Sequence, residues 1–138
     1  MSDNTPPEPV PSEQPRDEAS LRFRALHEPF RVVAEVEGAT ATVVPVGELD
    51  LATVDQVDSA LKDAARKGTA ELELDLRGVT FMDSSGLHLL IRWHESMKKS
   101  TTAFRVIQGR PEIRRLFEVA DLIDDLPFVD RPHAGHVA

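Results

Sequence analysis

Four small polar residues stand together between a predicted strand and a predicted helix, and they carry the groups best placed to do chemistry. They are Asp83, Ser84, Ser85 and Gly86. Side chains of these types accept hydrogen bonds from the backbone N–H groups at the start of a helix, which otherwise lack partners. The same N–H groups and the helix dipole attract anions, including a phosphate attached to the protein itself. The turn therefore caps a helix, or presents a hydroxyl for modification, or does both.

Strand-forming and helix-forming segments flank this turn. Residues 71–76 alternate between charged and apolar side chains, which is typical of a strand with Leu72, Leu74 and Leu76 on one face. A further apolar segment, residues 79–82, leads into the turn. After the turn, side chains recur at the spacing i, i+3, i+4 and i+7 of an amphipathic helix that ends near Lys99. The residues of this stripe are Leu87, Leu90, Ile91 and His94.

The remaining elements follow from similar patterns. A β-hairpin is predicted from Phe30 to Val46, with its turn at Gly38. A first helix follows, for which Thr53 and Gln56 fit a capping box and Gly68 a left-handed end. Its stripe comprises Val54, Val57, Leu61 and Ala64 or Ala65. A strand over 102–107, a third helix from Pro111 with a stripe of its own, and a short strand over 125–129 complete the chain. That third stripe comprises Ile113, Leu116, Phe117 and Ala120.

The order of elements, β-β-α-β-α-β-α(-β), predicts a single α/β domain with a mixed sheet of four to five strands and three to four helices. A crossover through the first helix makes the strands before and after it parallel. Their carboxyl ends then meet at one edge of the sheet, where open α/β sheets usually build sites. We therefore expect the acidic loop Glu48–Asp50 to lie beside the turn at Ser84.

Composition limits the class of protein. The 138 residues include no cysteine, which excludes disulfides and thiolate sites and favours the reducing cytoplasm. No run has the apolar length of a membrane span. The formal net charge of −8 argues against direct nucleic-acid binding, which needs a basic face, and suits a basic protein partner better.

The two chain ends differ in composition from the middle. Residues 1–19 are rich in proline and acidic side chains and have few large apolar ones, so they are predicted to be a disordered tail. Residues 20–29 are ambiguous, because Leu21, Phe23 and Leu26 fit either a strand or loose packing beneath the sheet. Residues 131–138 are predicted to be a loose tail. The domain is expected over residues 30–130.

The same residues give little support for an enzyme site or a metal site. A hydrolase built on Ser84 or Ser85 lacks the Gly-x-Ser-x-Gly elbow, and His88, one helical turn away, has no orienting partner. His88 and His94 are six residues apart and point in different directions, which disfavours a shared metal. We therefore predict no catalytic residue, metal or cofactor. Leu89 and Trp93 lie off the main helix stripe and form either an exposed apolar shelf for a partner or part of the core or ordinary surface.

With this order of elements, three segments resemble the STAS domain of bacterial anti-sigma-factor antagonists, over roughly residues 30–130. The first is Gly47-Glu48-Leu49-Asp50. The second runs from Leu74-Asp75-Leu76 through Phe81-Met82-Asp83-Ser84-Ser85-Gly86-Leu87. The third runs from Arg115-Leu116-Phe117 through Ala120-Asp121-Leu122-Ile123. Two features depart from the family pattern: His88 replaces a residue that is often small, and residues 98–102 lack the usual glycines.

The resemblance implies a switch between partners. In such proteins the first serine of the Asp-Ser-(Ser/Thr)-Gly motif, here Ser84, is phosphorylated by a partner that is both serine kinase and anti-sigma factor. The unphosphorylated antagonist binds this kinase and frees the sigma factor, phosphorylation reverses the binding, and a serine phosphatase resets it. The predicted partner surface comprises Glu48, Asp50, Asp83, Ser85, Gly86, Leu87, His88 and, from its helix position, Trp93.

A second reading stays open within the same family. A scaffold-type STAS protein of a larger signalling complex, or a regulator of another phosphorylated partner without any link to a sigma factor, would share the fold and the turn. The sequence does not fix the oligomeric state.

Overall fold

The computed structural model describes residues 29–130. The predicted tails at 1–19 and 131–138 and most of the ambiguous segment 20–29 lie outside this range. Nine elements follow one another in the described part of the chain. They are β1 (Arg31–Glu37), β2 (Thr40–Leu49), α1 (Val54–Ala65), β3 (Glu71–Asp75), β4 (Val79–Met82), α2 (Ser84–Met97), β5 (Ala103–Ile107), α3 (Pro111–Val119) and β6 (Phe128–Val129).

The hairpin of β1 and β2 forms as predicted. The two strands pair antiparallel from Arg31 opposite Val46 to Glu37 opposite Thr40, and Gly38 turns the chain with φ of 61°. A positive φ is readily adopted by glycine, which explains the residue at this position. β2 is longer than predicted and continues to Leu49.

The other side of β2 pairs with two short parallel strands in succession. β3 pairs with residues 40–43 of β2, and β4 pairs with residues 47–49. Pro45 falls between these two stretches, so the backbone donor that proline lacks is missing where β2 has no parallel neighbour. Residues 79–82, which the sequence analysis describes only as an apolar segment leading into the turn, pair with β2 as β4. The sheet therefore has six strands where four to five were predicted.

One face of the sheet forms the core. The rows Ala41, Leu72, Phe104 and Val43, Leu74, Val106 stand in register across β2, β3 and β5, and all six side chains are buried. The strand order is β1-β2-β3-β5-β6, with β4 beside β2. Helix α1 packs on β1, β2 and β3, α2 on β4 and β5, and α3 on β4.

The first and third helices follow most of their sequence signals. The predicted α1 stripe is buried at Val54, Val57, Leu61 and Ala64, and Pro111 begins α3. In α3 the stripe is buried at Ile113 and Phe117, whereas the helix ends before Ala120, which is exposed.

The capping box predicted for α1 is wrong. Thr53 is the N-cap residue, but its hydroxyl makes no capping bond to the helix. It donates instead to the Glu48 carbonyl oxygen at 2.8 Å and accepts from the Asp50 N–H at 3.0 Å. The threonine therefore stabilises the acidic loop before the helix.

Helix α2 is rotated from the predicted stripe. Its buried residues are Gly86, Leu89 and Leu90, whereas Leu87 and Ile91 are half-buried. A Cβ atom on Gly86 would lie 2.5 Å from Met82 Cγ and 3.3 Å from Leu49 Cγ. The missing side chain lets the first turn of α2 lie against β4 and β2, and this close approach fixes which face of the helix is buried.

A tryptophan and an aspartate join α1 to α2. The Trp93 indole N–H donates to Asp58 Oδ1 at 2.8 Å, and the Trp93 ring packs at a tilt on Phe104 with 6.3 Å between centroids. Lys62 pairs with the other Asp58 oxygen at 3.0 Å. Burial raises the pKa of Asp58, but the hydrogen bonds from Trp93 and Lys62 outweigh it, so the pKa lies below its ordinary value of 3.8.

We expect Trp93→Phe to lower the free energy of unfolding by about 1–2 kcal/mol at neutral pH, because the Asp58 carboxylate loses its indole donor. The pKa of Asp58 lies below 3.8 in the folded protein, so its hydrogen bond with Trp93 contributes its full stability above pH 3.8. It is lost as the pH falls through the folded-state pKa. Urea unfolding followed by circular dichroism at neutral and acid pH measures it. A deficit independent of pH, or one undiminished in an Asp58→Ala background that lacks the acceptor, would contradict this account.

Gly86→Ala is expected to destabilise the protein by about 1 kcal/mol or more. Overpacking a core costs about 1–3 kcal/mol, and the better helix propensity of alanine recovers at most about 1 kcal/mol. Ser85→Ala, one position away and half-buried, serves as the control and should change stability by less than about 0.5 kcal/mol. Thermal and urea unfolding compare the two variants, and a Gly86→Ala protein as stable as wild type would show that Met82 moves aside freely.

Candidate functional site

The turn between β4 and α2 is a capped helix start. Asp83 has extended backbone dihedral angles, and its Oδ1 accepts from the Ser85 N–H at 2.8 Å. The Asp83 carbonyl oxygen accepts from the Gly86 and Leu87 N–H groups at 3.1 and 3.4 Å. One aspartate thus satisfies three of the N–H groups that begin the helix, as the capping interpretation predicted.

The acidic loop lies beside this turn, as predicted. The Asp83 N–H donates to the Leu49 carbonyl oxygen at 3.2 Å, and Asp83 Oδ2 accepts from the Leu51 N–H at 3.3 Å. Inside the loop, Asp50 Oδ1 accepts from the Ala52 N–H at 3.0 Å. Hydrogen bonds of Asp83 therefore tie the end of β2 to the start of α2.

The two serines differ in exposure. Ser84 is exposed at the first position of α2, whereas Ser85 is half-buried. Within residues 29–130 the Ser84 hydroxyl takes part in no hydrogen bond. Ser84 is therefore the serine whose oxygen another protein can reach without moving the helix.

Other predicted partner residues occupy different positions. Glu48 and His88 are exposed, and Asp50 and Leu87 are half-buried with Leu87 against the core. Gly86 is buried beneath the turn and has no side chain to offer a partner. Its position against Met82 gives it a packing role.

Of the two alternatives for Leu89 and Trp93, the structure shows the core placement and not the exposed shelf. Leu89 is fully buried in the core, because α2 is turned by the contact at Gly86. Trp93 is half-buried against Asp58 and Phe104. It lies nine residues after Ser84, about 14 Å along the helix, so it is not part of the surface around that serine.

Two exposed apolar side chains near Ser84 were missed by the sequence analysis. Leu51 is 77% exposed in the acidic loop, and Phe81 is 49% exposed at the end of β4, opposite Glu48 in the parallel pairing. Leu51 lies outside every predicted apolar stripe of a helix or strand. An apolar residue in such a position is expected to be exposed, and this pattern could have identified it. No such pattern marked Phe81. The pairing of β2 with β4 shifts register between Gly47 and Glu48, and this shift interrupts the alternation of buried and exposed side chains in β4.

Residues 29–130 contain no group of three or more side chains of metal-binding type that could hold an ion. None of the helices in this range combines the length and the apolar character needed to cross a membrane.

Comparison with known proteins agrees with the predicted fold and family. The family model of the STAS domain matches residues 31–134. A Staphylococcus aureus protein named anti-sigma-B factor antagonist is 31% identical over 78 residues, which cover 56% of this chain and 72% of that protein.

Solved structures extend the likeness to three dimensions. An anti-sigma factor antagonist from Mycobacterium paratuberculosis superposes with a TM-score of 0.65 at 26% identity, covering 72% of this chain and 85% of that one. The anti-sigma factor antagonist SpoIIAA in its unphosphorylated form gives 0.61 at 20% identity, covering 80% of this chain and 100% of the other. SpoIIAA of Bacillus in its phosphorylated form gives 0.57 at 20% identity, covering 78% and 95%. On the family match and the 31% identical relative, this chain belongs to the STAS domain family, alongside bacterial anti-sigma-factor antagonists.

Proposed function

We propose that this protein is an anti-sigma-factor antagonist whose unphosphorylated form binds an anti-sigma factor with serine kinase activity and thereby frees a sigma factor. Phosphorylation of Ser84 by that kinase ends the complex, and a serine phosphatase restores the binding form. The protein acts in the cytoplasm through protein partners, without a cofactor and without touching nucleic acid or membrane. Its own role is that of a ligand and substrate, not of an enzyme.

The observation that carries the proposal is the exposed hydroxyl of Ser84 beside a fixed carboxylate. Asp83 is held by bonds to Ser85 and Leu51, so its charge stays next to the modified oxygen. A kinase active site needs an accessible hydroxyl on a defined backbone, and the first position of α2 provides one.

Electrostatics explains how one phosphate could release a partner. Phosphorylation adds about −1.5 to −2 charges next to Asp83 and near the Glu48–Asp50 loop. Two like charges 5 Å apart at an effective dielectric constant of 20 repel by about 3 kcal/mol, roughly a hundredfold in an equilibrium constant. The start of α2 offsets up to about 2 kcal/mol of this within the free protein. The modification therefore changes the binding surface and leaves the fold intact.

Apolar and acidic groups together define the partner surface. The exposed side chains of Leu51 and Phe81 flank the turn, and Glu48 lies opposite Phe81 in the sheet. Apolar anchors surrounded by charges are typical of a protein interface, in which the anchor fills a pocket and the charges set orientation. The partner is therefore expected to present apolar pockets framed by basic side chains.

The comparisons support this proposal from two directions. The Staphylococcus aureus relative is named an anti-sigma-B factor antagonist, and SpoIIAA, which shares the fold, exists in phosphorylated and unphosphorylated forms. The proposed cycle requires that the protein antagonise an anti-sigma factor and that its fold accept a phosphate. The relative's name matches the first requirement, and the phosphorylated SpoIIAA structure matches the second.

Ser84→Ala is expected to stay bound to the anti-sigma factor when ATP is added, because the variant has no hydroxyl at the phosphorylation position. Wild type and Ser85→Ala should each gain one phosphate and be released. Intact-mass measurement and pull-down after incubation with candidate anti-sigma-factor kinases and ATP test both steps.

Two results would contradict the switch at Ser84. Release of Ser84→Ala by ATP would show that another residue is modified. Absence of any modification with every candidate kinase, together with stable assembly into a larger complex, would favour the scaffold-type STAS protein instead.

Leu51→Ala is expected to weaken binding to the anti-sigma factor about tenfold, because an exposed aliphatic side chain beside Ser84 loses its pocket. Val119→Ala is the matched control, since Val119 is 81% exposed against 77% for Leu51 and lies at the far end of α3. Isothermal titration with unphosphorylated protein gives the affinities, and thermal unfolding checks that both variants fold. Equal affinities for the two variants would remove Leu51 from the interface.

A further inference from the structure

The outer edge of β1 has no partner strand in the described part of the chain. β1 pairs with β2 along its whole length from Arg31 to Glu37, and no strand of residues 29–130 pairs with its other side. Six of its seven residues are exposed, including Val33 at 38% and Val36 at 56%. An edge strand of this length presents a row of backbone donors and acceptors to another chain.

The two faces of β1 carry different side chains. Residues Val32, Ala34 and Val36 stand opposite Pro45, Val43 and Ala41 of β2, which belong to the buried face of the sheet. The helix-side face of β1 is therefore a row of small apolar groups. The opposite face carries Arg31, Val33, Glu35 and Glu37.

The charges of β1 change sign along the strand. Arg31 is at its amino end, and Glu35 and Glu37 are at its carboxyl end. Neither Arg31 nor Glu37 forms an ion pair within residues 29–130. Charged side chains normally protect a sheet edge from pairing. A strand whose two ends carry opposite charges is, however, complementary to an antiparallel copy of itself.

We propose that the edge of β1 binds β1 of a second copy of this chain, antiparallel and about a two-fold axis at Ala34. In this register Arg31 lies opposite the Glu37 of the other copy, and each Val32 lies opposite a Val36. Val33 lies opposite Glu35, and the two Ala34 residues face each other. The contact is isologous and extends the sheet from one copy into the next. It uses none of the residues around Ser84.

The pattern selects this register over its neighbours. Shifting the copy by two residues in one direction places Glu35 opposite Glu35, and a further shift places Glu35 opposite Glu37, so like charges face each other directly. Shifting by two residues in the other direction places Arg31 opposite Glu35 but leaves Val36 beyond the end of the partner strand. The register centred on Ala34 pairs both charged ends and covers Val36 on the helix side.

The test measures the oligomeric state of the full chain by sedimentation velocity at a series of protein concentrations. The wild-type chain should be a dimer that dissociates on dilution. Arg31→Glu and Glu37→Arg each place two pairs of like charges in the interface, and each should raise the dimer dissociation constant about tenfold or more. The double variant Arg31→Glu/Glu37→Arg restores opposite charges and should regain most of the wild-type affinity.

Glu112→Arg, a charge reversal on the exposed start of α3, is the control and should leave the dissociation constant unchanged. The proposal fails if the wild-type chain is monomeric throughout the series, or if the single reversals dimerise as well as wild type. It also fails if the double variant is as weak as the single ones. A monomer whose β1 amide groups are protected from hydrogen exchange would show that another part of the same chain covers the edge.

Discussion

The carboxylate of Asp83 holds the proposed binding surface together. One of its oxygens accepts from the Ser85 N–H in α2, and the other accepts from the Leu51 N–H, 32 residues earlier in the chain. Two segments that are distant in sequence are thereby joined through a single side chain. Ser84 lies next to this bridge, so its exposure and direction follow from bonds made by its neighbour and not from bonds of its own.

This bridge also determines where a phosphate on Ser84 would act. The N–H groups that an anion could use at the helix start are largely occupied by Asp83, since Ser85, Gly86 and Leu87 all donate to it. A phosphate at Ser84 therefore finds few free N–H donors at the helix start, and only the helix dipole offsets its repulsion from Asp83. Its charge is directed outwards, toward whatever protein covers the turn.

Much of this arrangement could be predicted from the sequence, because parallel strands bring their carboxyl ends together and Asp-Ser-Ser-Gly caps a helix. The rotation of α2 could not. Leu87, Leu89, Leu90 and Ile91 spread over about half of the helix circumference, so two overlapping stripes fit equally well. Contact of Gly86 with Met82 chooses between them and buries Leu89. The exposure of Phe81 likewise depends on a register shift between strands, which no local pattern reveals.

Strand β2 connects the two surfaces without merging them. Its carboxyl end, residues 47–49, pairs with β4 beside the serine turn, and its opposite side pairs with β1. If β1 pairs antiparallel with a second copy, the two β2 strands also run in opposite directions, because each is antiparallel to its own β1. The carboxyl ends of the two β2 strands, and with them the two Ser84 turns, then point in opposite directions in one continuous sheet. Each turn would remain open, so a dimer could bind and release two partners independently.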